Sequence, residues 1–172
     1  MYVVLKSKLN GRYLTKIVDC NSRYVFQAKD LKYSTFNGIF QIYRTTNDQI
    51  SFALMNPTTN KYGVNYDLML AINSSSSLVT AMTKTYLYSH SSIQQIAQFN
   101  LVKNSDLTFS IMSNENKKFI GSIDINRFPL EALFSNKGDR AHFFIEVVNN
   151  YNANEKGLFY FSIKLRFFTN AT

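Results

Sequence analysis

The chain is poor in the residues that carry most protein chemistry: its 172 residues include one cysteine, two histidines, two prolines, six glycines and no tryptophan. A single thiol, Cys20, has no partner for an internal disulfide, which suits a reducing compartment. A Cys–His dyad would have to join Cys20 to His90 or His142. Cys20 lies in a loop-like stretch between Asp19 and Asn21, and His142 heads a strand-like run, so nucleophilic catalysis is not expected. No set of His, Cys, Asp or Glu recurs at ligand spacing, and neither a metal nor a cofactor is expected. The glycines form no phosphate-cradling loop. Asp124 and Glu131 could approach one another, without the rest of a paired-carboxylate site. No run reaches the roughly 18 apolar residues of a membrane span. Charge appears at Lys6, so no secretory leader is read, and the expected location is cytoplasmic, or outside after release without a cleavable signal.

What is present is ample apolar matter. Hydrophobic residues make up 45% of the chain, with 15 Phe and 11 Tyr, enough for one well-filled core. The net charge of +8 is uneven: residues 1–50 hold eight basic and three acidic side chains, whereas residues 104–149 hold five and six. A basic first third would attract anionic partners, but no Lys/Arg run is dense enough for a specific nucleic-acid patch.

The strongest signal is internal repetition, which fixes an architecture before any local propensity does. Residues 3–14 (VVLKSKLNGRYL) overlay without gaps on 52–63 (FALMNPTTNKYG) and 109–120 (FSIMSNENKKFI). The overlay aligns Val3, Phe52 and Phe109, then Leu5, Leu54 and Ile111, then the polar Ser7, Asn56 and Ser113. It ends on the basic–aromatic pairs Arg12-Tyr13, Lys61-Tyr62 and Lys118-Phe119. Asn10-Gly11 marks a hairpin turn in the first copy. Each segment continues with a short strand ending in alanine (Ala28, Ala81, Ala132) and a closing strand carrying Phe40, Phe99 or Phe143. The second segment is the longest, with the serine-rich residues 73–77 and residues 83–96 inserted as loops.

One four-stranded unit with a single apolar face is marginal alone. Three around a pseudo-threefold axis close a barrel and bury those faces together. The expected fold is therefore all-β, a β-trefoil over residues 1–149, with repeats at about 1–48, 49–104 and 105–149. Tyr13, Tyr62 and Phe119 are expected in core layers, with their basic neighbours outward by strand alternation. Residues 150–172 form a separate extension. From Leu158 to Phe168, LFYFSIKLRFF alternates strongly and reads as an additional strand, either packed on the barrel or paired with a second molecule.

The L-x-S strand, N-G-x-Y-L turn, short strand to alanine and closing F-x-I/L strand resemble the fascin-like β-trefoil domain. The best match is residues 5–14 with Phe26–Ala28 and Phe40–Ile42. The resemblance implies a fold shared by actin cross-linkers, sugar-binding modules, toxin receptor-binding modules and protease inhibitors. Lacking tryptophan, the chain does not carry the Q-x-W signature of ricin-type sugar sites, and two histidines are too few for the histidine-rich trefoils. A single trefoil could bind a filament but not cross-link it.

The expected function is a non-enzymatic module recognising a glycan or a protein surface, lectin-like or receptor-binding, through loops on a rigid scaffold. Actin binding through the basic first third is one alternative, and self-assembly into a homo-oligomer through residues 158–168 is another. Candidate ligand contacts are the polar and basic residues of the three hairpin turns: Lys6, Lys8, Asn10 and Arg12; Asn60 and Lys61; Asn116 and Lys118.

Overall fold

The computed structural model describes residues 1–33, 37–45, 49–59, 62–89, 92–123, 129–136 and 138–148. The expected strand at 158–168, and with it Asn60, Lys61, His90 and Asp124, lies outside the described residues. The first repeat is β1 (Tyr2–Ser7), β2 (Tyr13–Val18), β3 (Tyr24–Asp30) and β4 (Phe40–Arg44). The second holds β5 (Ile50–Leu54), a small hairpin β6 (Thr58–Thr59) and β7 (Asn65–Tyr66), then β8 (Leu68–Ile72) and β9 (Val79–Thr83). It continues through α1 (Lys84–Leu87), a second small hairpin β10 (Tyr88–Ser89) and β11 (Ser92–Ile93), and closes on β12 (Phe99–Lys103). The third is β13 (Phe109–Ser113), β14 (Phe119–Ser122), β15 (Leu130–Phe134) and β16 (Phe143–Val147).

Twelve strands form one continuous sheet closed by the pairing of β16 with β1. Each closing strand pairs along the next opening strand, β4 with β5, β12 with β13 and β16 with β1. The register is threefold: Val3 faces Phe40, Ile50 faces Phe99, and Phe109 faces Phe143. Leu14, Leu70 and Ile120 lie opposite Ala28, Ala81 and Ala132. Small alanines opposite branched side chains let the hairpins converge without voids. Phe40, Phe99 and Phe143 are fully buried in one cluster with Phe26 and Phe52. Ring centroids run 5.5 Å from Phe26 to Phe40, 6.1 Å on to Phe52 and 6.0 Å to Phe99, within the range of edge and tilted aromatic contacts. The layered threefold barrel expected from the repeats is present.

The ungapped overlay of the second copy is corrected. Lys6 faces Tyr13 and Met112 faces Phe119, whereas their counterpart Ala53 faces Met69. Phe52 therefore matches Leu5 and Ile111, two residues from its expected place. A slip of two keeps the same face inward, so Phe52 is still core. The strand pair is separated by 16 positions (69 − 53) against 7 (13 − 6 and 119 − 112), so nine residues are inserted. The inserted hairpin carries Tyr62 out of the barrel: it is 76% exposed, while Tyr13 and Phe119 are buried, Tyr13 in a side cluster with Val4 and Ile39 rather than in the barrel layers. Met69 fills its position. The segment 83–96, expected as a loop, contains α1 and the β10–β11 hairpin.

Candidate functional site

In the first and third repeats the opening hairpin ends in the same turn. Ser7 N–H donates to Arg12 C=O and Gly11 N–H to Ser7 C=O at 2.9 Å each; Ser113 donates to Lys118 at 2.9 Å and Lys117 to Ser113 at 3.1 Å. Gly11 (φ +65°) and Lys117 (φ +57°) take the left-handed position. Asn10 Nδ2 donates to Ala28 C=O at 3.0 Å, while its Oδ1 accepts from Arg12 N–H. Asn116 repeats both contacts, to Ala132 C=O at 2.8 Å and from Lys118 N–H at 3.1 Å. These two candidate contacts thus fasten each turn to the strand bearing the repeat's alanine.

The basic candidates are also engaged internally. Lys6 Nζ lies 5.3 Å from the Tyr13 ring centre. Arg12 donates to Lys29 C=O at 2.9 Å, and Lys118 Nζ to Ser135 Oγ at 2.6 Å. Lys8 Nζ is 2.8 Å from both Asp106 Oδ2 and Asp139 Oδ1. His142 Nδ1 lies 3.3 Å from the same Asp106 oxygen. The fold thus assembles a His/Asp/Asp group, with ligand atoms within 4.8 Å of one another, that sequence spacing did not indicate. Lys8 supplies its positive charge: hydrogen bonds to Asp106 and Asp139 raise the Lys8 pKa, and the Lys8 ammonium lowers that of Asp106. The described candidates are divided between the turns of the first and third repeats, and each is engaged within the protein.

The second repeat does gather exposed groups. Its nine-residue insertion forms the β6–β7 hairpin, where Thr58 pairs with Tyr66 and Thr59 with Asn65. Thr59 Oγ1 donates to Asn65 Oδ1 at 2.6 Å, and Gly63 turns the tip at φ +78°. Tyr62 and Val64 stand exposed there. The base is fixed by the Lys16 ammonium, which donates to Thr58 Oγ1.

The second insertion leaves the barrel beside the first. Lys84, at the start of α1, donates its N–H to Asp67 C=O, just after β7, at 2.7 Å. Leu87, Ile93, Ile96 and Ala97 then cover the outward-facing Ala53, Met69 and Ala71 as a satellite core. Ser51 Oγ donates to Ala97 C=O at 2.6 Å, and Gln98 Nε2 to Ile93 C=O at 2.6 Å. Burial makes this insertion part of the scaffold, yet Tyr86 is 64% exposed on α1. Two tyrosines are thereby presented from adjacent, anchored insertions that the sibling repeats lack. The serine- and tyrosine-rich composition of the segment hinted at this surface; the displaced strand Leu68–Ile72 hid its geometry.

No protein-family model and no curated protein sequence matches the chain. Solved structures do match. ThreeFoil, a designed threefold-symmetric protein, superposes with a TM-score of 0.63 at 12% identity, over 84% of this chain and 96% of that one. A BEL β-trefoil in its apo form matches at 0.61 and 12%, over 86% and 92%. A GlcNAcα1-4Gal-releasing endo-β-galactosidase from Clostridium perfringens matches at 0.56 and 13%, over 84% of this chain but 31% of the enzyme. The fold is a β-trefoil. At such identities the likeness extends to the fold alone, and the fascin-like resemblance rests on its motif residues.

Proposed function

We propose that the protein is a non-enzymatic, glycan-binding trefoil whose binding surface is the pair of insertions in the second repeat. The observation that carries this reading is the joining of the two insertions at Asp67 and Lys84, with Tyr62 and Tyr86 exposed above an anchored base. A tyrosine ring offers a flat apolar face and a polar tip at little entropic cost, which suits a sugar's mixed C–H and hydroxyl surface. Thr59 and Asn65 add hydroxyl and amide groups beside it. Such groups bind without transferring protons near neutral pH, which favours recognition over catalysis. A structural neighbour named as an endo-β-galactosidase that releases GlcNAcα1-4Gal adds circumstantial weight.

The test is a glycan array followed by titration of the best sugar against wild type, Tyr62→Ala and Tyr86→Ala. Binding by wild type that weakens about tenfold or more in either variant supports the reading. Silence on the array, or variants that bind like wild type, removes it.

A further inference from the structure

Beneath the β6–β7 hairpin lies a cation whose charge the described protein does not compensate. Lys16 of β2 is 9% exposed. Its ammonium donates to Thr58 Oγ1 and stands 4.8 Å from the Tyr24 ring centre. Among the described residues no carboxylate pairs with it, although an ammonium has three N–H groups to satisfy. Buried charges in proteins are normally paired, because removing an unpaired one from water is costly. Among the described carboxylates, Asp106 and Asp139 pair with Lys8, Asp19 pairs with Arg23, and Glu146 accepts from Tyr13. Thr58 and Tyr24, the two groups Lys16 touches, are half-buried rather than sealed off.

We infer that Lys16 receives the acidic group of an anionic sugar, a carboxylate or sulfate, while the rest of the sugar lies against the second-repeat hairpin. This rests on the glycan-binding reading above and narrows it to a ligand class. A charge-assisted contact from a partly desolvated ammonium is stronger than a neutral one and discriminates sharply against a sugar lacking the acid. The chain's net +8 favours approach of such a ligand. Burial also holds the Lys16 pKa below its ordinary 10.5, and an arriving anion would push it back up.

The experiment titrates the full-length protein with methyl β-glucuronide, galactose 6-sulfate, their neutral counterparts methyl β-glucoside and galactose, and inorganic sulfate alone. The Lys16 side-chain resonance is followed through a pH series. The acidic sugars should bind about tenfold more tightly than the neutral ones and should raise the Lys16 titration midpoint. Lys16→Met should erase that preference. Thr58→Val, which breaks the same hydrogen bond but keeps the ammonium, should retain it and so separates charge from tethering. Equal binding of acidic and neutral sugars overturns the inference and leaves the glycan reading standing, as does a preference that survives Lys16→Met. Inorganic sulfate binding as tightly as galactose 6-sulfate overturns the sugar assignment. Binding of no sugar overturns both.

Discussion

Where the first repeat hands over to the second, Met55 N–H donates to Ile39 C=O at 2.9 Å, and both side chains join an apolar cluster with Val4 and Tyr13. Where the third hands back to the first, Lys8 N–H donates to His142 C=O at the same 2.9 Å, and the side chains join an ionic group with Asp106 and Asp139. The second-to-third junction keeps the bond, Asn114 to Gln98 at 2.9 Å, with the two amides facing each other at 3.3 Å. The backbone bond therefore sets the ring geometry, and the side chains are free to differ. They also make the junctions non-interchangeable: Lys8 against Ile39 would leave its ammonium without a carboxylate. Threefold structure is held by the interior, and individuality sits at the periphery.

If the interior is the symmetric part, its members should cost alike. Phe40→Ala, Phe99→Ala and Phe143→Ala each remove a fully buried ring and should each destabilise by about 3–5 kcal/mol in urea unfolding. A much smaller loss at one of them would break the equivalence. A smaller effect is expected where the third repeat departs from its siblings. A Cβ on Gly121 would lie 2.5 Å from Arg140 C=O and 2.7 Å from the Phe134 ring, while the matching positions carry Thr15 and Ala71. Gly121→Ala should cost about 1–3 kcal/mol, and a neutral result would mean the Asp139–Ala141 turn yields readily. Smaller again, Asn10→Ala and Asn116→Ala should each cost about 1 kcal/mol without changing ligand affinity. A selective loss of binding in either would return these turns to the ligand surface.

The smallest effect belongs to the exposed ionic junction. Asp106 is held below its ordinary 3.8, so its contribution is complete above 3.8 and is lost as pH falls through the depressed value. Lys8 is raised above 10.5, so its contribution is complete below 10.5 and is lost as pH rises through the raised value. The melting-temperature gap between wild type and Lys8→Met should shrink as pH falls through the depressed Asp106 value and as pH rises through the raised Lys8 value. A gap that grows in acid would contradict the assignment.

The interior was legible because it repeats: the alanines Ala28, Ala81 and Ala132 and the phenylalanines Phe40, Phe99 and Phe143 kept their order despite unequal loops. The second repeat misled because a two-residue slip preserves strand parity, so Phe52 stayed buried under the wrong alignment. The five apolar residues Leu68–Ile72 were a buried-strand signal in their own right. Allowing a gap there would have placed Met69, not Tyr62, beside Tyr13. The Lys8–Asp106–Asp139–His142 group was not legible, since its members lie far apart in the chain and meet only when the ring closes. That no carboxylate among the described residues pairs with Lys16 is likewise a property of the fold, not of any motif.

The claim that binding resides in the second repeat's departures from symmetry is tested most directly by restoring the symmetry. Residues 9–11 (LNG) in place of residues 56–67 would remove the β6–β7 hairpin, keep Met55 at its junction with Ile39, and give the second repeat the turn of the first. Titration of this variant with the sugar selected on the array should show a folded protein whose affinity has fallen at least tenfold. A folded variant that binds as tightly as wild type would contradict the account.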